Sequence, residues 1–136
     1  MKIGFQGWFL NKPYTGIGQH SLGLLRELAL QKNSDCTIPV PAHVAPAGIP
    51  KKWLHVVKPK AWLLHPALKK WYWERIQVPA FFATRKLDWE YYPYPTPLPS
   101  ASTHLRAMTV HDLILWRDPR SQGNRLKSYY HLQARR

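Results

Sequence analysis

The residues of this chain best suited to chemistry are Thr109-Val110-His111-Asp112 and Thr15-Gly16-Ile17-Gly18. Histidine both donates and accepts hydrogen bonds near neutral pH, so His111 can hold a hydroxyl or a phosphate oxygen. Asp112 can orient that ring or take a hydroxyl itself. The structural alternative is a histidine satisfied by backbone and an aspartate that caps the next turn. In the second stretch, a glycine turn between a strand and a helix lets backbone N–H groups approach an anion, and the positive end of the helix dipole favours phosphate there. Gly16, Ile17 and Gly18 are therefore candidate phosphate-binding positions. The dinucleotide fingerprint needs a third glycine at position 21, where this chain has Ser21, which disfavours a plain NAD site. A lysine-bearing phosphate loop is also missing. The alternative is a tight turn that needs glycine for its geometry alone.

A third feature is the span from Lys51 to Arg75. It sets Lys51, Lys52, Lys58, Lys60, Lys69, Lys70 and Arg75 against Glu74 only, and interleaves Trp53, Trp62, Trp71, Tyr72 and Trp73. Lysine and arginine attract anionic headgroups, and tryptophan and tyrosine settle at headgroup level. Lys51, Lys52, Trp53, Trp62, Lys69, Lys70 and Trp71 are the candidate membrane or acceptor surface. The same mixture can bind single-stranded nucleic acid by stacking and phosphate contacts, or it can be tryptophans in a core beside a solvated lysine face. The tail from Arg117 adds Arg120, Arg125, Lys127, Arg135 and Arg136 against Asp118. No recognition helix or RNA-binding signature accompanies it, which argues against nucleic acid and for a solvated helix face. The chain has no nucleophilic serine or cysteine motif. Its seven acids are scattered, with no carboxylate pair for glycosidase-type chemistry, and no paired Cys/His spacing suggests a metal.

The elements that must position these residues alternate. Residues 2–9 read as a buried first strand, 11–18 as a loop, and Gln19 to Lys32 as a helix. That helix carries Leu22, Leu25 and Ala29 on one face with Leu24 and Leu28 beside them. Thr37 to Val40 is a short second strand that Pro39 demotes to an edge or a strand end. Residues 41–52 form a loop, and Trp53 to Val57 another short strand. Residues 61–86 contain a helix, strongest from Leu68 to Arg85, that Pro79 kinks or divides. Trp89 to Tyr92 is a strand closed by prolines. Arg106 to Leu115 fits a central parallel strand ending near His111, and residues 124–136 begin a helix. The order implies an α/β fold with a mostly parallel, Rossmann-like sheet flanked by helices.

Composition sets the outer bounds. The 136 residues suffice for one core, and 45% hydrophobic with 20% charged content describes a globular chain. The formal charge of +13 attracts polyanions: nucleic acid, anionic lipid or phosphorylated substrates. The lone Cys36 cannot form an internal disulfide, which fits a reducing compartment. The N-terminus lacks a signal peptide's apolar stretch, and no run approaches the ~20 apolar residues that span a bilayer. A cytoplasmic protein is expected, with peripheral attachment to the inner face of the membrane where the basic span acts.

Four stretches, in order, resemble the N-terminal domain of family 4 glycosyltransferases of GT-B fold. Lys2 to Phe9 is similar to the family's opening strand. Thr15 to Gly18 with Gln19-His20-Ser21-Leu22 is similar to its glycine loop and first helix. Trp73-Glu74-Arg75-Ile76-Gln77-Val78-Pro79 with Tyr92-Pro93-Tyr94-Pro95 resembles its mid-domain helix and following strand. Thr109-Val110-His111-Asp112-Leu113 looks like its histidine-aspartate strand end. The resemblance implies a hexosyltransferase-type enzyme that moves a sugar from a nucleotide-sugar donor to an acceptor with retention and without a metal. The nucleotide-sugar is a co-substrate, and no other cofactor is implied. Gly16 and Gly18 would approach the donor diphosphate, and His111 the transferred sugar, with Asp112 beside it. On this reading residues 1–136 form an incomplete, acceptor-side N-terminal domain. The C-terminal donor-binding domain is absent, and the chain alone is expected to be inactive. A sugar, lipid-linked or polysaccharide acceptor, in cell-surface polysaccharide or glycolipid synthesis, would suit the basic, tryptophan-rich span. The rival reading is a non-enzymatic basic module that binds anionic membrane or nucleic acid. A nucleotide-binding regulator of another α/β family ranks third.

Overall fold

A computed structural model describes residues 1–96, 98 and 102–111. The expectations for Asp112, for the strand beyond His111, for the basic tail and for a helix over 124–136 lie outside the described residues. Five strands form one parallel sheet in the order β3-β2-β1-β4-β5: β1 Lys2–Phe5, β2 Asp35–Val40, β3 Leu54–Val56, β4 Trp89–Tyr92 and β5 Leu105–Met108. The fold is α/β and Rossmann-like.

Helices cover both faces, and alternation along β1 divides the core. Ile3 and Phe5 face helix α1, Gly16–Leu30, and pack with Leu22, Leu25, Cys36, Ile38 and Val40. Trp73, Val78, Phe82 and Tyr92 fill the other face under helices α2, Pro66–Tyr72, and α3, Val78–Ala83. Each fully buried Leu, Val or Phe contributes about 1.5–3 kcal/mol. The expected apolar face of α1 is the face that packs. The helix starts three residues before the expected Gln19, because Thr15 caps it: Thr15 Oγ1 accepts from the Gly18 amide at 3.1 Å.

Two element expectations need correction, and a third is decided between its two alternatives. The first strand stops at Phe5, and a 3-10 turn, Trp8–Asn11, replaces its second half. Leu10 then buries from a turn rather than a strand. Pro39, expected at an edge or a strand end, is the penultimate residue of β2, an interior strand flanked by β1 and β3, so the strand-end alternative holds and the edge alternative does not. It is tolerated because the β1 ladder ends at the Gly4–Thr37 pair, so Pro39 lies past the point where β1 needs its amide. Its carbonyl still accepts from the Gly7 amide at 3.1 Å. β5 lies at the edge of the described sheet, with Leu105 exposed and its other side chains half-buried, and is not central among the described residues.

Pro79 divides the long helix by an unexpected device. A π turn, Trp73–Gln77, joins α2 to α3. Proline has no amide to donate to the carbonyl four residues earlier, and a wider turn absorbs that gap without ending the helix. The turn buries both Trp73 and Glu74.

Candidate functional site

In open parallel sheets, ligands bind outside the carboxyl ends of the strands where the strand order reverses. Here that point lies between β1 and β4. Gln6 follows β1, Pro93 and Tyr94 follow β4, and Thr109 to His111 follow β5. The same edge receives the start of α1.

His111 is exposed, and its Nε2 lies 2.8 Å from the Pro93 carbonyl oxygen. A carbonyl only accepts, so Nε2 carries the proton, and in the neutral ring Nδ1 is the acceptor. The structural alternative for this histidine is therefore half satisfied: one ring nitrogen is held by backbone. The ring stands edge-on to His20 of α1, with centroids 4.9 Å apart. His20 Nε2 lies 3.1 Å from the Tyr91 hydroxyl, which hydrogen-bonds Thr109 Oγ1. The histidine strand end and the first helix thus meet at one edge. Sequence reading quoted Thr109 within the histidine motif and His20 within the resemblance but gave neither a role, and it missed Tyr91; His20 lies 71 residues from Tyr91 along the chain.

The three loop positions differ in kind. A Cβ at Gly18 would stand 2.2 Å from the Lys12 carbonyl oxygen, so this position needs glycine for close approach. The Gly18 amide is already engaged by Thr15. A Cβ at Gly16 would meet nothing within 4 Å, and Gly16 is exposed. Ile17 is half-buried, and its carbonyl accepts from Ser21 Oγ at 2.7 Å. Ser21, which stands where a dinucleotide site has glycine, thus ties the first helical turn to itself. First-turn amides have no intrahelical partner, so an anion would sit nearest Gly16 and Ile17.

The seven residues of the basic, tryptophan-rich span do not share one surface. Trp53 is 3% exposed and belongs to the core under α1, so it is removed from any outer face. Lys70 turns inward, with Nζ 2.8 Å from Glu74. Lys51 and Lys52 are exposed on a 3-10 turn, Lys51–Trp53, at the amino end of β3. Trp62, 67% exposed, follows the carboxyl end of β3, with half-buried Lys69 and Trp71 on α2 beyond it.

Glu74, which sequence reading noted as the one acid of the basic span and within a resemblance but gave no role, is the centre of a buried cluster. It is fully buried and takes Lys70, the Tyr94 hydroxyl and Gln6 Nε2 (3.2 Å) as partners. Burial raises its carboxyl above the ordinary value, with Lys70, Tyr94 and Gln6 pulling the other way. Burial works against the Lys70 ammonium, but Tyr94 and Glu74 outweigh it and hold its pKa above the usual value. The available signal was charge: Glu74 is the only acid between Asp35 and Asp88, four residues from Lys70.

Cys36 is buried, and burial, helped by Asp35, pushes its thiol up to about 12, so it is no nucleophile. Among the described residues, no three or more His, Cys, Asp or Glu side chains are grouped to hold a metal ion. Among them also, no helix is long and apolar enough to cross a membrane. No protein-family model, curated protein or solved structure matches the chain significantly.

Proposed function

We propose that this chain is the acceptor-side, Rossmann-like half of a retaining glycosyltransferase that uses a nucleotide-sugar donor. The observation that carries the reading is the meeting of His111 with the first helix at the reversal point of the sheet. The residue resemblance supplies the reaction class, and the geometry agrees with its division of labour. The donor diphosphate lies against the first turn of α1 at Gly16 and Ile17, where amides and the helix dipole oppose the charge that develops on the departing nucleotide. His111, fixed through Nε2, meets the transferred sugar, with Asp112 next to it in sequence. Most of the nucleotide is held by a separate donor-binding domain, so the described domain alone does not turn over. The acceptor is a sugar, a lipid-linked sugar or a polysaccharide.

The test pairs the chain with a retaining-type donor-binding domain and supplies UDP-glucose, UDP-N-acetylglucosamine and GDP-mannose with sugar acceptors. Donor-dependent transfer is expected, and His111→Ala should lower turnover about 100-fold, the scale of losing one polar contact to developing charge. Unchanged turnover would remove His111 from the site. Absence of transfer with every donor would remove the enzyme reading. The second reading, a basic module on an anionic membrane, draws on the exposed Trp62, Leu64 and Leu68 in a lysine-rich segment.

A further inference from the structure

We propose that the buried Glu74–Tyr94 pair is a positioning device for His111, acting through the Pro93–Tyr94 peptide. Its relevance to sugar transfer rests on the reading above; the geometry does not. The Pro93 carbonyl that accepts from His111 Nε2 at 2.8 Å belongs to the peptide unit joined to the Tyr94 Cα. A peptide is planar, so fixing Tyr94 fixes the direction of that carbonyl.

Tyr94 is held from every side. It is 4% exposed. Its hydroxyl donates to the Glu74 carboxylate and receives Gln6 Nε2. The ring packs edge-on against Phe9 with centroids 4.8 Å apart, and Lys70 Nζ stands 4.6 Å from its centre. Thr96 Oγ1 donates to its carbonyl at 3.0 Å. These contacts come from the end of β1, the following 3-10 turn, α2 and the π turn. The π turn earns its place here, because it buries Glu74 within reach of the strand ends while the helix continues past Pro79. A buried, satisfied polar network specifies one arrangement, and an unpaired member is costly. The arrangement it specifies includes the direction of the Pro93 carbonyl, and hence which nitrogen of His111 carries the proton. Glu74 and Tyr94 need touch no substrate.

The experiment reads the ring directly, by long-range 1H–15N correlation of His111 in the chain at neutral pH. The wild type is expected to show the Nε2-protonated tautomer. Tyr94→Phe keeps the ring and removes the hydroxyl, and is expected to bring His111 into tautomer exchange. Glu74→Ala should do the same. Leu25→Ala, which cuts the core on the other face of the sheet, controls for general loss of stability and should leave the tautomer alone. If Tyr94→Phe folds and His111 keeps a single Nε2-protonated tautomer, the inference is overturned. If Leu25→Ala shifts the tautomer as much, it is likewise overturned, because the effect is then not specific. Should Tyr94→Phe or Glu74→Ala fail to fold, Gln6→Leu, which removes the amide that donates to both the Tyr94 hydroxyl and Glu74 and that accepts from the Trp8 amide, carries the same expectation and the same refutation. A shifted tautomer in a chain that supports no sugar transfer with a donor-binding domain would sink the enzyme reading and leave the positioning device standing.

Discussion

Glu74 and Glu90 are both buried carboxyls, yet their acidities move in opposite directions because their neighbours differ. Burial pushes Glu90 up, but hydrogen bonds from His104, Ser102, Tyr92 and Arg106 outweigh it, and its pKa falls below the ordinary value. Arg106 Nε and His104 Nδ1 lie 3.0 and 2.9 Å from its oxygens. For Glu74 burial wins, and the pKa rises. Linkage gives the two opposite signs. A lowered folded pKa means that the unfolded chain binds the proton more tightly. Glu90 therefore adds stability that is fully present above the unfolded value, ~4.3, and is lost as pH falls through its folded pKa. Glu74 has the reverse sign: protonation favours its folded form, and its contribution grows as pH falls towards the unfolded value. Urea unfolding between pH 3 and 6 checks this. Glu90→Gln is expected to cost about 2 kcal/mol at pH 6, since it replaces a buried carboxylate that takes hydrogen bonds from His104, Ser102, Tyr92 and Arg106 by a neutral amide, and to flatten the decline of stability towards acid. An equally steep acid decline in the variant would show that Glu90 is not its source.

At the scale of elements, the turn into α1 separates a glycine required for folding from one that is not. The Cβ of an alanine at 18 would drive into the Lys12 carbonyl, whereas one at 16 would enter open space. Gly18→Ala is expected to destabilise by about 2 kcal/mol, in the range of overpacking. Gly16→Ala should stay within about 0.5 kcal/mol. Thermal unfolding of both separates them; equal losses would mean that the loop is not built as described. This distinction was beyond sequence reading, which saw two glycines at one spacing. What was legible obeyed local rules. The period of Leu22 and Leu25 gave the buried face of α1, and the prolines after Tyr92 gave the end of β4. What was not legible depends on partners far along the chain. Gln6 meets Glu74 and Tyr94 across 68 and 88 residues. Trp8 and Leu10 carry a strand's hydrophobicity into a turn, because the crossing to α1 begins there. Whether Pro39 marks a sheet edge or a strand end stays open until the end of the β1 ladder is known.

For the whole molecule the governing quantity is charge. The formal net charge is +13, and the only acid between Asp35 and Asp88 is buried against Lys70. The long stretch through β3 and α2 therefore presents no exposed carboxylate, while Lys51, Lys52, Lys58 and Lys60 are exposed along it. Trp62 and Leu64 stand out among them, at 67% and 87% exposure. Trp53 and Lys70, which sequence reading placed on the same surface, are turned inward, so attraction to an anionic surface rests on fewer groups than the composition suggests. Each exposed lysine near such a surface contributes about 1 kcal/mol, and salt screens it within ~10 Å at 0.1 M. A few lysines and one tryptophan support reversible attachment only. The chain is expected to sediment with phosphatidylserine vesicles at low salt, to be released by 0.5 M salt, and to ignore phosphatidylcholine vesicles. Lys51 and Lys52 leave the amino end of β3, and Trp62 its carboxyl end, so the two groups need not touch one surface together. Trp62→Ser and the pair Lys51→Ser with Lys52→Ser tell them apart. If the membrane meets the carboxyl end of β3, the tryptophan variant should weaken binding about tenfold and the lysine pair much less. Equal weakening by both would place the contact along the length of β3, and no binding at low salt would remove the membrane from the account.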